Sequence, residues 1–133
     1  MQLNLKTDYA IRMLLYLATK NDTASSTEIS EHMVIPKSMI SEFAVPLQKA
    51  GILTTQRGAG GGFALCRAPE RISLHEIINL LEGTTRINRC LEDGHKCSRN
   101  ATETCPVRKF YVQVQNHLEQ AFQDKTIASL LED

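Results

Sequence analysis

Four of the chain's seven glycines fall in the six residues Arg57-Gly58-Ala59-Gly60-Gly61-Gly62, and that run leaves the surrounding segment few ways to fold. Each glycine inside a helix or strand costs about 0.5–1 kcal/mol relative to alanine, so the run is a turn. Ile52 to Gln56 before it alternates like a strand, and Phe63 to Cys66 after it reads as the partner strand. The segment is therefore a β-hairpin with a glycine-rich tip behind an exposed arginine. A phosphate cradle would need a Lys-Ser/Thr pair and a strand-to-helix junction, and neither is present.

Helices precede the hairpin. Thr7 is a candidate N-cap with Asp8 in the first turn, where the helix dipole favours an acid. Ala10, Met13, Leu14, Leu17 and Ala18 then share one helix face, and Asn21-Asp22 ends it. Ser25 and Glu28 have the spacing of a capping box and open a short helix to about Met33. After the turn Val34-Ile35-Pro36, a further helix runs from Lys37 to about Leu47. Met39, Ile40, Phe43, Ala44 and Leu47 form its buried stripe, leaving Lys37, Ser38, Ser41, Glu42 and Gln48 facing out. Pro46 inside it costs about 3 kcal/mol, so the helix is expected to kink or end near that residue. Two short helices joined by a tight turn form a helix-turn-helix whose second helix enters the major groove. A hairpin directly behind it is a wing, with Arg57 placed to enter a narrow, electronegative minor groove. The candidate DNA contacts are Ser26, Thr27, Lys37, Ser38, Ser41, Arg57 and Gly58. A helical hairpin with a solvated polar face is the alternative for the helices alone.

Charge adds little. The 133 residues carry 15 basic and 15 acidic side chains; residues 1–67 are net +2 and the remainder net −2. No apolar run approaches the roughly 20 residues needed to cross a bilayer. No signal-peptide pattern opens the chain, and a cytoplasmic protein is expected.

Ser73 and Glu76 repeat the capping spacing. Leu74, Ile77, Ile78 and Leu81 give the next helix its face, and Gly83 is its expected stop. From Thr84 to Thr104 no periodicity appears, and unstructured stretches beyond roughly 12–15 residues are usually functional or disordered. This one leads through Cys90 and Cys97 to Cys105, separated by six and seven residues. In a reducing compartment such a group points to metal or redox chemistry rather than disulfides. The wide spacing lacks the tight pair usual for zinc and suits an iron–sulfur cluster, [2Fe–2S] or [4Fe–4S]. Zinc with His95 or His75, and three free thiols, stay open as alternatives. Cys66, on a wing strand, is expected to be a small packed residue.

Pro106 begins a long helix to about Asp124, with Val107, Phe110, Tyr111, Val114, Leu118 and Phe122 along one side. So long an apolar stripe calls for a second copy of the chain, and a symmetric homodimer matches the half-sites of a palindromic operator on double-stranded DNA. Packing back onto the first helix is the alternative. A last short helix is expected over 126–131. The fold class is mainly α with a small β-hairpin wing: a winged helix-turn-helix over 1–83, a cysteine-containing loop over 84–105, and a dimerisation helix with its tail over 106–133.

Taken together, Thr7-Asp8-Tyr9-Ala10, Leu47-Gln48-Lys49-Ala50-Gly51, the Arg57–Gly62 run and the three cysteines resemble the Rrf family of bacterial winged-helix regulators, which includes iron–sulfur proteins. The resemblance covers nearly the whole chain. It implies a dimer with one cluster per subunit held by Cys90, Cys97 and Cys105, and DNA contacts at Ser38, Ser41 and Arg57. In some members an aspartate of the first helix, from the other subunit, is the fourth ligand, and Asp8 stands at that position; a plain first-turn acid is the alternative. A histidine ligand after the last cysteine fits poorly, because the first one is His117. The recognition helix departs from the family pattern in Pro36-Lys37 and Pro46. The expected function is a transcriptional regulator sensing redox state, nitric oxide or iron through the cluster. A cluster-free regulator responding to thiol oxidation or a metabolite is the rival. No nucleophile–base pair stands at a meaningful spacing, so an enzyme is not expected.

Overall fold

The computed structural model describes residues 2–133. Helix α1 spans Leu5–Lys20, α2 Ser26–Met33 and α3 Lys37–Lys49. The strands β1, Leu53–Gln56, and β2, Gly62–Leu65, pair as an antiparallel hairpin from Leu53↔Leu65 to Gln56↔Gly62. Helix α4, Leu74–Leu81, follows a 3-10 turn at Pro69–Arg71. A second 3-10 turn at Arg89–Leu91 interrupts the loop before α5, Pro106–Asp124, and α6, Ile127–Glu132, ends the chain. No helix among the described residues is long and apolar enough to cross a membrane.

The N-terminus of α1 departs from expectation. Asn4 is the cap, accepting the Thr7 N–H at 3.1 Å, and the helix starts before Thr7. Thr7 is fully buried, and its hydroxyl donates to Glu82 Oε1 at 2.7 Å; the Asn4 N–H reaches the same oxygen at 2.8 Å. Both residues are good caps, and the contact with Glu82 draws Thr7 inward. Glu82 is thereby extended at the end of α4, which stops at Leu81 without using Gly83 as a left-handed cap.

Both capping boxes close only halfway. Ser25 and Ser73 each accept the N–H of the glutamate three residues on, at 3.1 Å. Neither glutamate returns the bond. Glu28 accepts hydrogen bonds from Lys20 and Tyr16, and Glu76 pairs with Arg67 at 2.5 Å. Charge-assisted bonds to these partners outweigh a bond to a neutral backbone N–H.

Pro46 neither ends nor interrupts the assigned helix, which continues to Lys49. Its missing donor deprives only the Glu42 carbonyl, on the exposed side where water reaches it. The core stripe Ile40, Phe43, Ala44 and Leu47 is buried, whereas Met39 sits half-exposed at its edge.

These side chains pack with Met13, Leu14, Leu17, Ile29, Ile52 and Ile77 into one cluster. Complete burial of an aliphatic side chain is worth about 1.5–3 kcal/mol. The chain's end joins it too: the Ile127 N–H bonds the Ile72 carbonyl at 2.9 Å, and Ile127 is fully buried. A bridge between Ala24 and Phe63 stitches the wing to the segment between α1 and α2. Cys66 is exposed, contrary to the packed position expected: its N–H bonds the Ile52 carbonyl at 2.8 Å one step past the Leu53↔Leu65 pair, but the residue stays outside the core.

Helix α5 packs on α4 and on the second 3-10 turn. Its outer side stays open, with Val107, Phe110 and Val114 at 52, 59 and 36% exposure.

Candidate DNA-binding face and cysteine pocket

Helix α3 presents Ser38, Ser41, Glu42, Val45 and Lys49 to solvent, opposite its buried stripe. Lys37 Nζ donates to Thr27 Oγ1 at 2.8 Å and clips the start of α3 to α2, while Ser26 is half-buried at the first turn of α2. The Gln48 amide donates to the Thr55 hydroxyl and ties the recognition helix to β1. Arg57 and Gly58 are exposed at the wing tip. Among the described residues no ion pair engages Lys37, Lys49 or Arg57. Their charge is available to phosphates, the contacts that position a protein on a duplex.

The three loop cysteines come from three kinds of local structure. Cys90 lies inside the 3-10 turn, Cys97 follows the turn at Gly94, and Cys105 caps α5, its sulfur accepting the Arg108 N–H at 3.4 Å. All three are half-buried and line one cavity of about 120 Å³ together with His95, Arg108 and Tyr111. Asn88 Nδ2 donates to the Cys90 sulfur at 3.4 Å. Backbone N–H groups, first that of Ala101 and then that of Arg99, hold the Cys97 thiol below its usual value of 9.0 against partial desolvation. No three His, Cys, Asp or Glu side chains among the described residues stand close enough to hold a metal ion. The thiols share a cavity without closing a coordination shell.

Asp8 lies elsewhere in its own chain. It is exposed on α1, paired with Arg12 Nη2 at 2.8 Å, and borders a surface hollow with Leu5 and Ile11. His75 is on α4 beside the Asn79 amide, 3.0 Å away, and does not line the cysteine cavity, whereas His95 does.

Sequence reasoning passed over Arg108. Its Nε donates to the Cys90 carbonyl at 3.2 Å while its backbone N–H holds Cys105, so one residue joins two of the three cysteines. The signal was its place three residues after Cys105, in the first turn of α5. Gln115 was missed as well. It is 2% exposed, accepts the Ile87 N–H at 2.8 Å and donates to the Thr85 carbonyl at 3.0 Å, pinning the root of the loop to α5. Nothing in an apolar-stripe pattern marks it.

Similarities to known proteins agree with this architecture. The family model for Rrf2, described as an iron-dependent transcriptional regulator, matches residues 3–133. The HTH-type transcriptional regulator NsrR of Bacillus licheniformis is 35% identical over 98 residues, 72% of this chain and 68% of that protein. Among solved structures, IscR of T. potens superposes with a TM-score of 0.77 at 24% identity, covering 100% of this chain and 88% of that one. CymR, the global cysteine regulator of B. subtilis, superposes at 0.79 with 20% identity over 98% and 95% of the two chains. The superpositions establish the winged-helix fold, the family match covers almost every residue, and the chain belongs to the Rrf2 family of DNA-binding transcriptional regulators.

Proposed function

We propose that the chain acts as a homodimer on a palindromic operator, and that Cys90, Cys97 and Cys105 hold an iron–sulfur cluster whose fourth ligand is Asp8 of the partner subunit. In this reading residues 1–83 bind DNA, 84–105 form the sensor and 106–133 the dimer arm. Ser26, Thr27, Lys37, Ser38, Ser41, Arg57 and Gly58 make the DNA contacts. The observation that carries the reading is the single cavity lined by all three loop cysteines.

The donor set fits such a group. It offers three soft sulfur ligands, backbone N–H groups already directed at Cys97, and the Arg108 cation beside the cavity to offset thiolate charge. When bound, the cluster supplies iron that responds to oxidants, nitric oxide or iron shortage, most readily at a position ligated by oxygen. The chain's own residues carry the response outward. Gln115 fastens the root of the loop to α5 through the Thr85 carbonyl, and Arg108 holds the Cys90 carbonyl and the Cys105 sulfur, so a rearranged loop pulls on the helix whose open apolar side receives the second copy. Shifting that helix alters the spacing of the two recognition helices. A coupling of about 1–3 kcal/mol changes DNA affinity roughly 5–150-fold.

Purification without oxygen, with iron and sulfide assays and an absorption spectrum, tests the reading. About two or four irons per subunit, and operator affinity that changes when they are removed, are expected. Colourless, iron-free protein that binds its operator unchanged overturns the sensor and leaves DNA binding intact.

The second reading is a cluster-free thiol switch. It is favoured by the lowered Cys97 pKa, which raises the reactive thiolate fraction, and by the absence of three converged ligands among the described residues. Here peroxide alters operator affinity in iron-free protein, and Cys97→Ser abolishes the effect.

A further inference from the structure

The recognition helix carries two exposed side chains whose chemistry is suited to base edges rather than to phosphates. At about 100° per residue, Ser38, Glu42, Val45 and Lys49 of α3 fall within roughly 60° of one another, opposite Ile40, Phe43, Ala44 and Leu47. Val45 stands at one edge of that face, about midway along its length, at 46% exposure. A β-branched residue loses side-chain freedom in a helix, and here no core contact compensates it. Glu42 keeps a carboxylate with 54% side-chain exposure on the surface that approaches the phosphate backbones. A carboxylate there weakens binding to any duplex through charge repulsion. Its favourable contact in the major groove is as acceptor of an exocyclic amino proton, above all that of cytosine N4. Lys6 of α1 stands at 3.5 Å from Glu42 Oε2 and partly neutralises it, which lowers the repulsion without using up both oxygens.

We infer that Glu42 and Val45 are specificity-determining residues of the operator contact, Glu42 accepting from a cytosine amino group and Val45 packing on a thymine methyl. The inference rests on α3 being the groove-reading helix. Neither residue contributes to the core, so replacing them leaves the fold in place.

Selection from a random duplex library, run with the full-length protein and with Glu42→Ala, Glu42→Gln and Val45→Ala, tests it. The unaltered protein is expected to enrich a palindromic motif with a C·G pair in each half-site. Glu42→Ala loses that preference, by on the order of tenfold, and binds random duplex as well or better. Glu42→Gln moves the preference towards adenine, the base whose edge a carboxamide matches. Replacing thymine by uracil in the motif weakens the unaltered protein several-fold and leaves Val45→Ala unaffected. One motif shared by all four proteins, with no uracil effect, overturns the inference and leaves groove reading by α3 standing. If the unaltered protein enriches no motif, both are overturned.

Discussion

Val34 holds the turn of the helix-turn-helix at φ +54° with its side chain 76% exposed. A β-branched residue in the left-handed region costs about 1–2 kcal/mol, and packing at this site offsets little of it. The turn needs that conformation because the next residue, Ile35, must reach the core while its N–H and C=O both bond to Ser30. Val34→Gly is expected to stabilise the protein by about 1 kcal/mol, net of the larger chain entropy of glycine, seen as a higher urea midpoint. A lower midpoint would mean the valine is held by contacts rather than strained. Cys97 permits a second test at this scale. Backbone N–H groups stabilise its thiolate, so its alkylation should reach half-maximal rate at lower pH in folded protein than in urea, where 9.0 applies. Coinciding profiles would remove the electrostatic basis of a reactive loop. The sequence marked both residues without disclosing their states. Valine at 34 reads as a turn residue from its neighbours, but its dihedral angle is set by Ile35, and a thiol's acidity depends on where the surrounding N–H groups point.

Between elements, the joint of α1 with α2 depends on Glu28, which accepts from Tyr16 at 2.6 Å and Lys20 at 2.8 Å. These bonds, that from Lys20 first, hold its carboxyl below the usual 4.5. A carboxylate with a depressed folded pKa contributes stability that is fully present above 4.5 and is lost as the pH falls below that value through the folded pKa. Glu28→Gln should lower the melting temperature at neutral pH and flatten its decline on the acid side; an unchanged acid limb argues against the clip. The wing depends on a close approach at Gly62, where φ is +146° and an added Cβ would stand 2.2 Å from the Ala24 carbonyl oxygen. Gly62→Ala should cost about 3 kcal/mol or more and weaken DNA binding by displacing the hairpin. Full retention of stability would mean that the Ala24–Phe63 bridge is dispensable. The hairpin itself was legible in the glycine run, but this contact was not, since Ala24 is paired with Phe63 only in three dimensions.

Across the whole molecule, the feature that asks for a partner is the outer side of α5. Val107, Phe110 and Val114 are all at least 36% exposed on a helix with one fully buried residue, Gln115. Phe110→Glu places a charge on that surface without touching the core. It should convert a dimer to monomer in sedimentation experiments and reduce affinity for a two-half-site operator far more than for one half-site. A dimer that persists would move the interface elsewhere. The apolar stripe and the start at Pro106 were readable directly, because helical periodicity and proline's preference for a first turn are properties of a few consecutive residues.

The sequence alone determined which segments are helical and that Ser25, Ser73 and Pro106 open three of them, that a glycine-tipped hairpin follows the second short helix of the pair, and that three thiols share one loop. Those features depend on capping, periodicity and backbone freedom, whose energies arise within one or two turns of chain. The tertiary structure decided the rest: that Asn4 and not Thr7 caps α1, where the Glu28 and Glu76 carboxylates turn, that Cys66 stays outside, and that Arg108 bridges two cysteines. Each is a competition among partners brought together by folding, as with Thr7 and Glu82 across 75 positions. Its outcome depends on the geometry of the whole core.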